Sequence, residues 1–323
     1  MTQAPPPKSA PAPIVSQADP AALASTRAAD AVAQSQDTAG SGQKAIFLMV
    51  GAILCFTLMD SGVKALAPRT GVVPALWARY AGQMALVLVL LLPRLRQVSR
   101  TAFPGLQALR SLFLLLATGF FFLGLSLIPI SDAAALMSVN PVLITLGAAL
   151  FLGERLGPRR VAGIAVAMVG ALIVIRPGSG VFSLAALAPL AAAVSYSGYA
   201  LLTRKVGPRE DPWTSMLYTA LFGTIVLSCV VPFFWVSPDG TSLLLMGVIA
   251  LCGTVGQLCL IRAFSQGEAA MLAPFAYCGL IFATLWGVLF FAEIPDIWTI
   301  CGALVIAGSG LYVWHRETNR RKA

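Results

Sequence analysis

From Ile46 to Trp314 the chain is an almost unbroken succession of apolar stretches, parted only by short basic, Pro or Gly breaks. A soluble core has no use for so much apolar surface. Only 11% of the 323 residues are charged and 58% are apolar, against about 25% charged in an ordinary soluble domain, so the surplus must face lipid. One span takes about 20 apolar residues. Breaking at charges, Pro and Gly predicts ten, at 45–66, 73–92, 106–127, 130–152, 159–175, 182–203, 213–235, 242–263, 270–291 and 297–314. The fold class is therefore an all-α membrane protein of ten transmembrane helices.

Residues 1–43 are rich in Ala, Pro, Ser and Gln and hold almost no large apolar side chain. That is too little burial to offset ordering entropy, so the expectation is a disordered tail. It lacks a basic segment leading into an apolar one, so it does not read as a signal peptide.

The formal charge of +9 would suggest nucleic acid if it lay on one soluble face. Here the basic residues cap the apolar stretches instead, and nucleic acid is set aside. With a cytoplasmic N-terminus, 18 of the 22 Lys and Arg fall on the cytoplasmic side, Arg110 and Arg262 among them. The opposite side keeps Lys64, Arg69 and Arg176, and Arg79 lies inside span two. This positive-inside bias predicts cytoplasmic termini, including the basic tail 316–323. Five cysteines sit inside apolar segments with Cys301 at the start of another, no CxxC exists, and His315 is the sole histidine. The pattern argues against a metal site or a disulfide framework, and no cofactor is expected.

The chain also resembles itself. At an offset of 136, Trp77 matches Trp213, Ser61-Gly62 matches Ser197-Gly198, and Asp132-Ala133-Ala134 matches Glu268-Ala269-Ala270. At 139, Thr145-Leu146 matches Thr284-Leu285, Leu150-Phe151 matches Leu289-Phe290, Glu154 matches Glu293, and Gly163 matches Gly302. Two repeats follow, 44–178 and 179–315, each of five helices. An odd number places the second upside down in the bilayer. Inverted repeats mark secondary transporters that hold substrate near the midplane between their halves.

Residues 140–178 (NPVLITLGAALFLGERLGPRRVAGIAVAMVGALIVIRPG) and 262–317 carry a family resemblance. They resemble the EamA branch of the drug/metabolite transporter superfamily in the span-four Pro, the Leu-Gly-Glu at its end and the glycine-dotted fifth span. Ala-Phe, Ala-Pro-Phe-x-Tyr and Glu-x-Pro-Asp in the second stretch are similar to bacterial riboflavin and S-adenosylmethionine uptake proteins. The resemblance covers 45–317 and implies ten helices, a bacterial inner membrane and carriage of a small metabolite without ATP. An amino-acid or drug exporter of the same fold is the alternative it leaves open.

Ionisable groups inside a bilayer are expensive and suspect. Asp60 and Lys64 lie four apart on one helical face and can pair. Asp60 sits roughly 9 Å inside the outer end of span one, at a depth like that of Arg79 in span two, so Asp60, Lys64 and Arg79 are a candidate charged cluster. Lys64 on its own would snorkel to the interface. Asn140-Pro141 falls mid-span four, where proline removes an amide donor and should break the helix. Such breaks serve as transporter sites, the competing reading being a packing kink. Tyr196, Tyr199, Gln257, Tyr277 and Trp286 complete the candidate substrate contacts, their rings suited to a flat cargo. They also suit plain helix packing. Asp132 and Glu268 open helices, where acids meet the dipole favourably, and Arg110 is expected to anchor span three at the cytoplasmic surface. Gly163, Ala167 and Ala171, with Ala303 and Ala307, form small-residue faces for close packing, either internally or in a homodimer.

Two other functional classes fit these residues less well. A channel needs more intramembrane polar residues than these spans contain. A membrane enzyme needs a nucleophile with a base, or paired metal ligands, yet the spans hold no histidine and one acid away from their ends, Asp60. A P-loop is missing too.

Overall fold

The computed structural model describes residues 20–152, 158–175, 184–206, 210–266 and 272–322. The chain divides into two compact units, Met1–Gln43 and Lys44–Ala323. The principal helices among the described residues are α1 Pro20–Thr70, α2 Val72–Leu91, α3 Pro104–Leu127, α4 Ile130–Met137, α5 Asn140–Leu152, α6 Pro158–Ile175, α7 Leu187–Val206, α8 Pro212–Val230, α9 Gly240–Gln266, α10 Cys278–Phe291 and α11 Ile297–Lys322. Within the first unit, residues from Pro20 onward are helical, where composition predicts disorder. Seven alanines between Ala21 and Ala33 account for the difference, since Ala is the best helix former and needs no tertiary partner. The first 19 residues lie outside the described part.

Among the described residues, six helical segments are long and apolar enough to cross a membrane, at Gln43–Thr70, Val72–Val98, Pro104–Leu127, Leu184–Thr203, Pro212–Phe234 and Gly240–Ala263. Shorter apolar helices at Ile130–Ile144, Val161–Ile175, Phe275–Phe291 and Ile297–Tyr312 fall on the other four predicted spans. Large apolar side chains cover the outside of the second unit. Phe47, Phe151 and Phe233 are 78%, 80% and 84% exposed, a surface suited to lipid and not to water.

Span four is broken where the proline predicts. A turn at Ser138-Val139 separates α4 from α5. The Ser138 amide still reaches the Ala134 carbonyl at 3.0 Å, and the ladder restarts with Val142 donating to Val139 at 3.0 Å. Pro141 has no amide with which to bond one turn back. Span nine opens with a tight 3-10 segment, Ala273–Tyr277, which contains Pro274 and leads into α10.

Small residues close α6 onto α11. A Cβ on Gly302 would stand 2.7 Å from the Gly170 carbonyl oxygen, so the two backbones touch and only glycine fits. Ala167 and Ala171 pack in the same core as Ile306 and Ala303, and Ser309 donates to the Gly163 carbonyl at 3.3 Å. The Gly163–Ala171 face is thus used inside the chain.

Candidate functional site

Between the helices of the two repeats lies a cavity of about 380 Å³, within the size range of small-molecule sites. Its walls come from α1, α2, α3, α4 and α5 of the first repeat and α7, α9 and α10 of the second, with the 3-10 turn before α10. The break in span four opens directly onto it through Ser138, Asn140 and Pro141. Asn140 Oδ1 is buried there without a hydrogen-bond partner.

Of the residues singled out from sequence, Asn140, Pro141, Tyr196, Tyr199, Gln257, Tyr277, Asp60 and Arg79 all line this cavity. Tyr196 and Tyr199, one turn apart on α7, hold their ring centroids at 5.5 Å. Trp286 does not reach the cavity wall. It stacks on Phe290 at 5.4 Å and donates Nε1 to Thr57 Oγ1 at 3.1 Å, so it holds a lining hydroxyl from behind. Spacing on α10 could not show this, because the rotation of the helix about its axis decides which face meets the cavity.

Asp60, Lys64 and Arg79 do not form one charged cluster. Lys64 turns away from Asp60 to Glu293, Nζ to Oε1 at 2.9 Å. The same ammonium donates to the Leu125 and Ile128 carbonyls at 3.3 and 2.7 Å, and Glu293 Oε2 accepts from the Ile130 amide at 3.0 Å. Lys64 therefore does not snorkel. A carboxylate from the other repeat with two spare carbonyls is a better partner than an acid one turn back that must stay in the cavity. Asp60 and Arg79 face the same space, yet no ion pair forms between them within 4.0 Å. Arg79 Nη1 donates to Thr118 Oγ1 at 2.7 Å instead.

Arg110 is likewise not a surface anchor. Only 5% exposed, it donates Nε to Thr203 Oγ1 at 2.7 Å and Nη2 to the Tyr199 hydroxyl at 3.0 Å. Its Nη1 reaches the Ser215 carbonyl at 3.0 Å, Thr219 Oγ1 at 3.1 Å and Gln107 Oε1 at 3.3 Å. Gln107 passes the link on through Nε2 to Glu210 Oε2 at 3.1 Å. Burial raises the Glu210 carboxyl, but hydrogen bonds from Thr101, the Ala102 amide, Gln107 and the Phe103 amide outweigh it and hold it below the usual glutamate range. A signal for this array exists in the sequence. Gln107, Arg110, Ser111 and Thr118 recur at helical spacing on α3 and form one polar stripe. Asp132 does lie in the first turn of α4, but it also accepts from Thr299 Oγ1 of α11 at 2.8 Å. Glu154 and Glu268 lie outside the described residues.

Comparison with known proteins agrees with this geometry. The model of the EamA-like transporter family matches twice, over residues 43–176 and 183–314, one match per repeat. A riboflavin transporter of Rhizobium johnstonii is 32% identical over 228 residues, 69% of this chain and 74% of that protein. A pseudopaline exporter of Pseudomonas aeruginosa is 31% identical over 270 residues, 81% and 92% of the two chains. An S-adenosylmethionine uptake transporter of Rickettsia felis is 26% identical over 218 residues, 68% and 74%. A solved crystal structure superposes with a TM-score of 0.61 at 22% identity, over 86% of this chain and 98% of that one, a likeness of fold alone. With a cavity between two repeats, each matched by the same model, the chain belongs to the EamA-like transporter family, as a multi-pass membrane protein.

Proposed function

We propose that this protein is a secondary, ATP-independent carrier of a small aromatic-bodied metabolite across a bacterial inner membrane, with both termini cytoplasmic. Riboflavin and S-adenosylmethionine, named for two of its relatives, set the scale of cargo. The observation that carries this reading is the cavity at the broken span four, walled by both repeats. Asn140 offers an unpaired carbonyl oxygen there, and Tyr196, Tyr199 and Tyr277 offer ring faces and edges. Irregular backbone at that depth serves as binding surface and hinge together.

The test is uptake by proteoliposomes of labelled riboflavin and S-adenosylmethionine, beside a thermal-shift screen of vitamins, nucleosides and amino acids, since a true ligand stabilises by mass action. Pro141→Ala should let span four run straight and keep monodisperse protein while transport falls at least tenfold. Asn140→Leu should weaken binding with expression intact. Normal transport by both would move the site elsewhere. For orientation, a cysteine at Asp239 in a cysteine-free background should react with an impermeant reagent from outside, and one at Gln97 should not.

Export is the second reading, favoured by one observation. The pseudopaline exporter aligns over 81% of this chain, the riboflavin transporter over 69%. Comparing right-side-out with inverted vesicles separates the two directions.

A further inference from the structure

The wall of the cavity holds an acid and a base, Asp60 and Arg79, that form no ion pair with each other. Arg79 is 9% exposed, and a guanidinium does not give up its proton in a protein. Its hydrogen-bond and ring partners are neutral. Nη1 donates to Thr118 Oγ1 at 2.7 Å, and the guanidinium lies 5.4 and 5.9 Å from the ring centroids of Tyr80 and Phe122. Its Nε is buried with no partner. Asp60, half-buried on α1, lines the same cavity, and no Arg79 nitrogen comes within 4.0 Å of its carboxylate. Lys64, the cation one turn away, is taken by Glu293.

Two opposite charges left apart across a space of low dielectric are costly unless something completes them. A cargo with one charge would leave the cavity with a net charge, and an uncharged cargo would leave both groups unpaired. Only a cargo carrying both signs satisfies each and keeps the cavity neutral. We propose that Asp60 and Arg79 form a zwitterion clamp. Arg79 takes a carboxylate through its free Nε and fork geometry, Asp60 takes an ammonium group, and the apolar or aromatic body lies against Phe121, Tyr196 and Tyr277. The clamp rests on the transport reading and adds to it the charge class of the cargo.

The test uses the purified full chain in detergent and in proteoliposomes, with four probes: L-tryptophan, which carries both charges, tryptamine, which carries only the ammonium, indole-3-propionate, which carries only the carboxylate, and uncharged riboflavin. L-tryptophan should bind at least tenfold more tightly than either single-charge analogue. Asp60→Asn should cost L-tryptophan at least tenfold and leave indole-3-propionate unchanged. Arg79→Lys should weaken L-tryptophan and indole-3-propionate together and leave tryptamine unchanged. These are ratios between probes within one folded sample, so a general loss of stability does not imitate them. Equal binding of all three indoles, or losses spread evenly over the probes, would overturn the clamp. Uptake of riboflavin unaffected by Asp60→Asn would overturn the clamp and leave the transport reading standing. Failure of every probe, and of the wider metabolite screen, would overturn both.

Discussion

At one end of α3, beside Leu125 and Ile128, the two repeats are joined by the Lys64–Glu293 ion pair. At the other end, roughly 22 Å away for 15 residues of helix, they are joined by Arg110 and its hydroxyl and carbonyl partners. The chemistry differs in kind. Lys64 and Glu293 keep 13% and 24% of their side chains exposed, so water can replace either partner as the pair opens. Parting the repeats there breaks the ion pair and the Ile130–Glu293 bond. Parting them at Arg110 strips the bonds to Tyr199, Thr203, Ser215 and Thr219 from a buried cation. A charge matched by one opposite charge makes a contact that is easily separated. A charge spread over neutral acceptors makes a rigid one, because no single loss releases it.

The largest expected effect lies at the rigid end. Arg110→Met should remove about 3 kcal/mol or more of stability, because several buried acceptors lose a charged donor together. The melting temperature in detergent should fall and the yield with it. An unchanged melting point would mean that the array does not hold the repeats together.

At the Lys64 end, Lys64→Met and Glu293→Gln should each cost about 1–3 kcal/mol, since each leaves a partly buried partner unmatched. The double variant should cost less than the sum, by about 1 kcal/mol. Additive losses would remove the pair from the comparison. A loss equal to that of Arg110→Met would erase the contrast between the ends.

Acid sharpens the contrast further. The Glu210 carboxyl, held below its usual 4.5, stabilises the fold fully above that value and loses its contribution as pH falls through the lower folded value. Glu210 is mostly solvated, so its share should stay under about 1 kcal/mol. Wild-type stability should therefore drop below pH 4.5 by more than that of Glu210→Gln, read as urea midpoints across pH. Identical profiles would detach Glu210 from the Gln107–Arg110 array.

The smallest effect is expected at Arg69–Asp239, 3.3 Å apart with side chains 49% and 59% exposed. The Asp239 carboxyl sits below the usual aspartate range chiefly through hydrogen bonds from the Ser242 side chain and amide, with Arg69 a lesser cause. Arg69→Gln should leave the melting point unchanged at high salt, where exposed charges are screened. A shift as large as that of Lys64→Met would show that exposure does not separate the two pairs.

Much of this architecture is legible in the sequence. An apolar helix that crosses lipid must be long, so the six long spans follow from hydropathy, and Pro141 marks the break because a missing amide is a local fact. The cavity tyrosines, Asn140 and Gln257 were legible as polar or aromatic groups in apolar helices, which need a partner or a cavity. Trp286 satisfied the same rule and yet points at Thr57.

The membrane setting, the doubled plan and the irregular point in span four are legible along the chain, since each rests on neighbours in the sequence. Helix packing set the rest: Lys64 belongs to Glu293, Arg110 faces inward to α7 and α8, and Asp60 and Arg79 share a cavity without an ion pair. Those outcomes depend on how far each helix turns about its axis and how deep it sits against helices remote in the chain. Hydropathy measures how apolar a segment is, and it carries no information on either quantity.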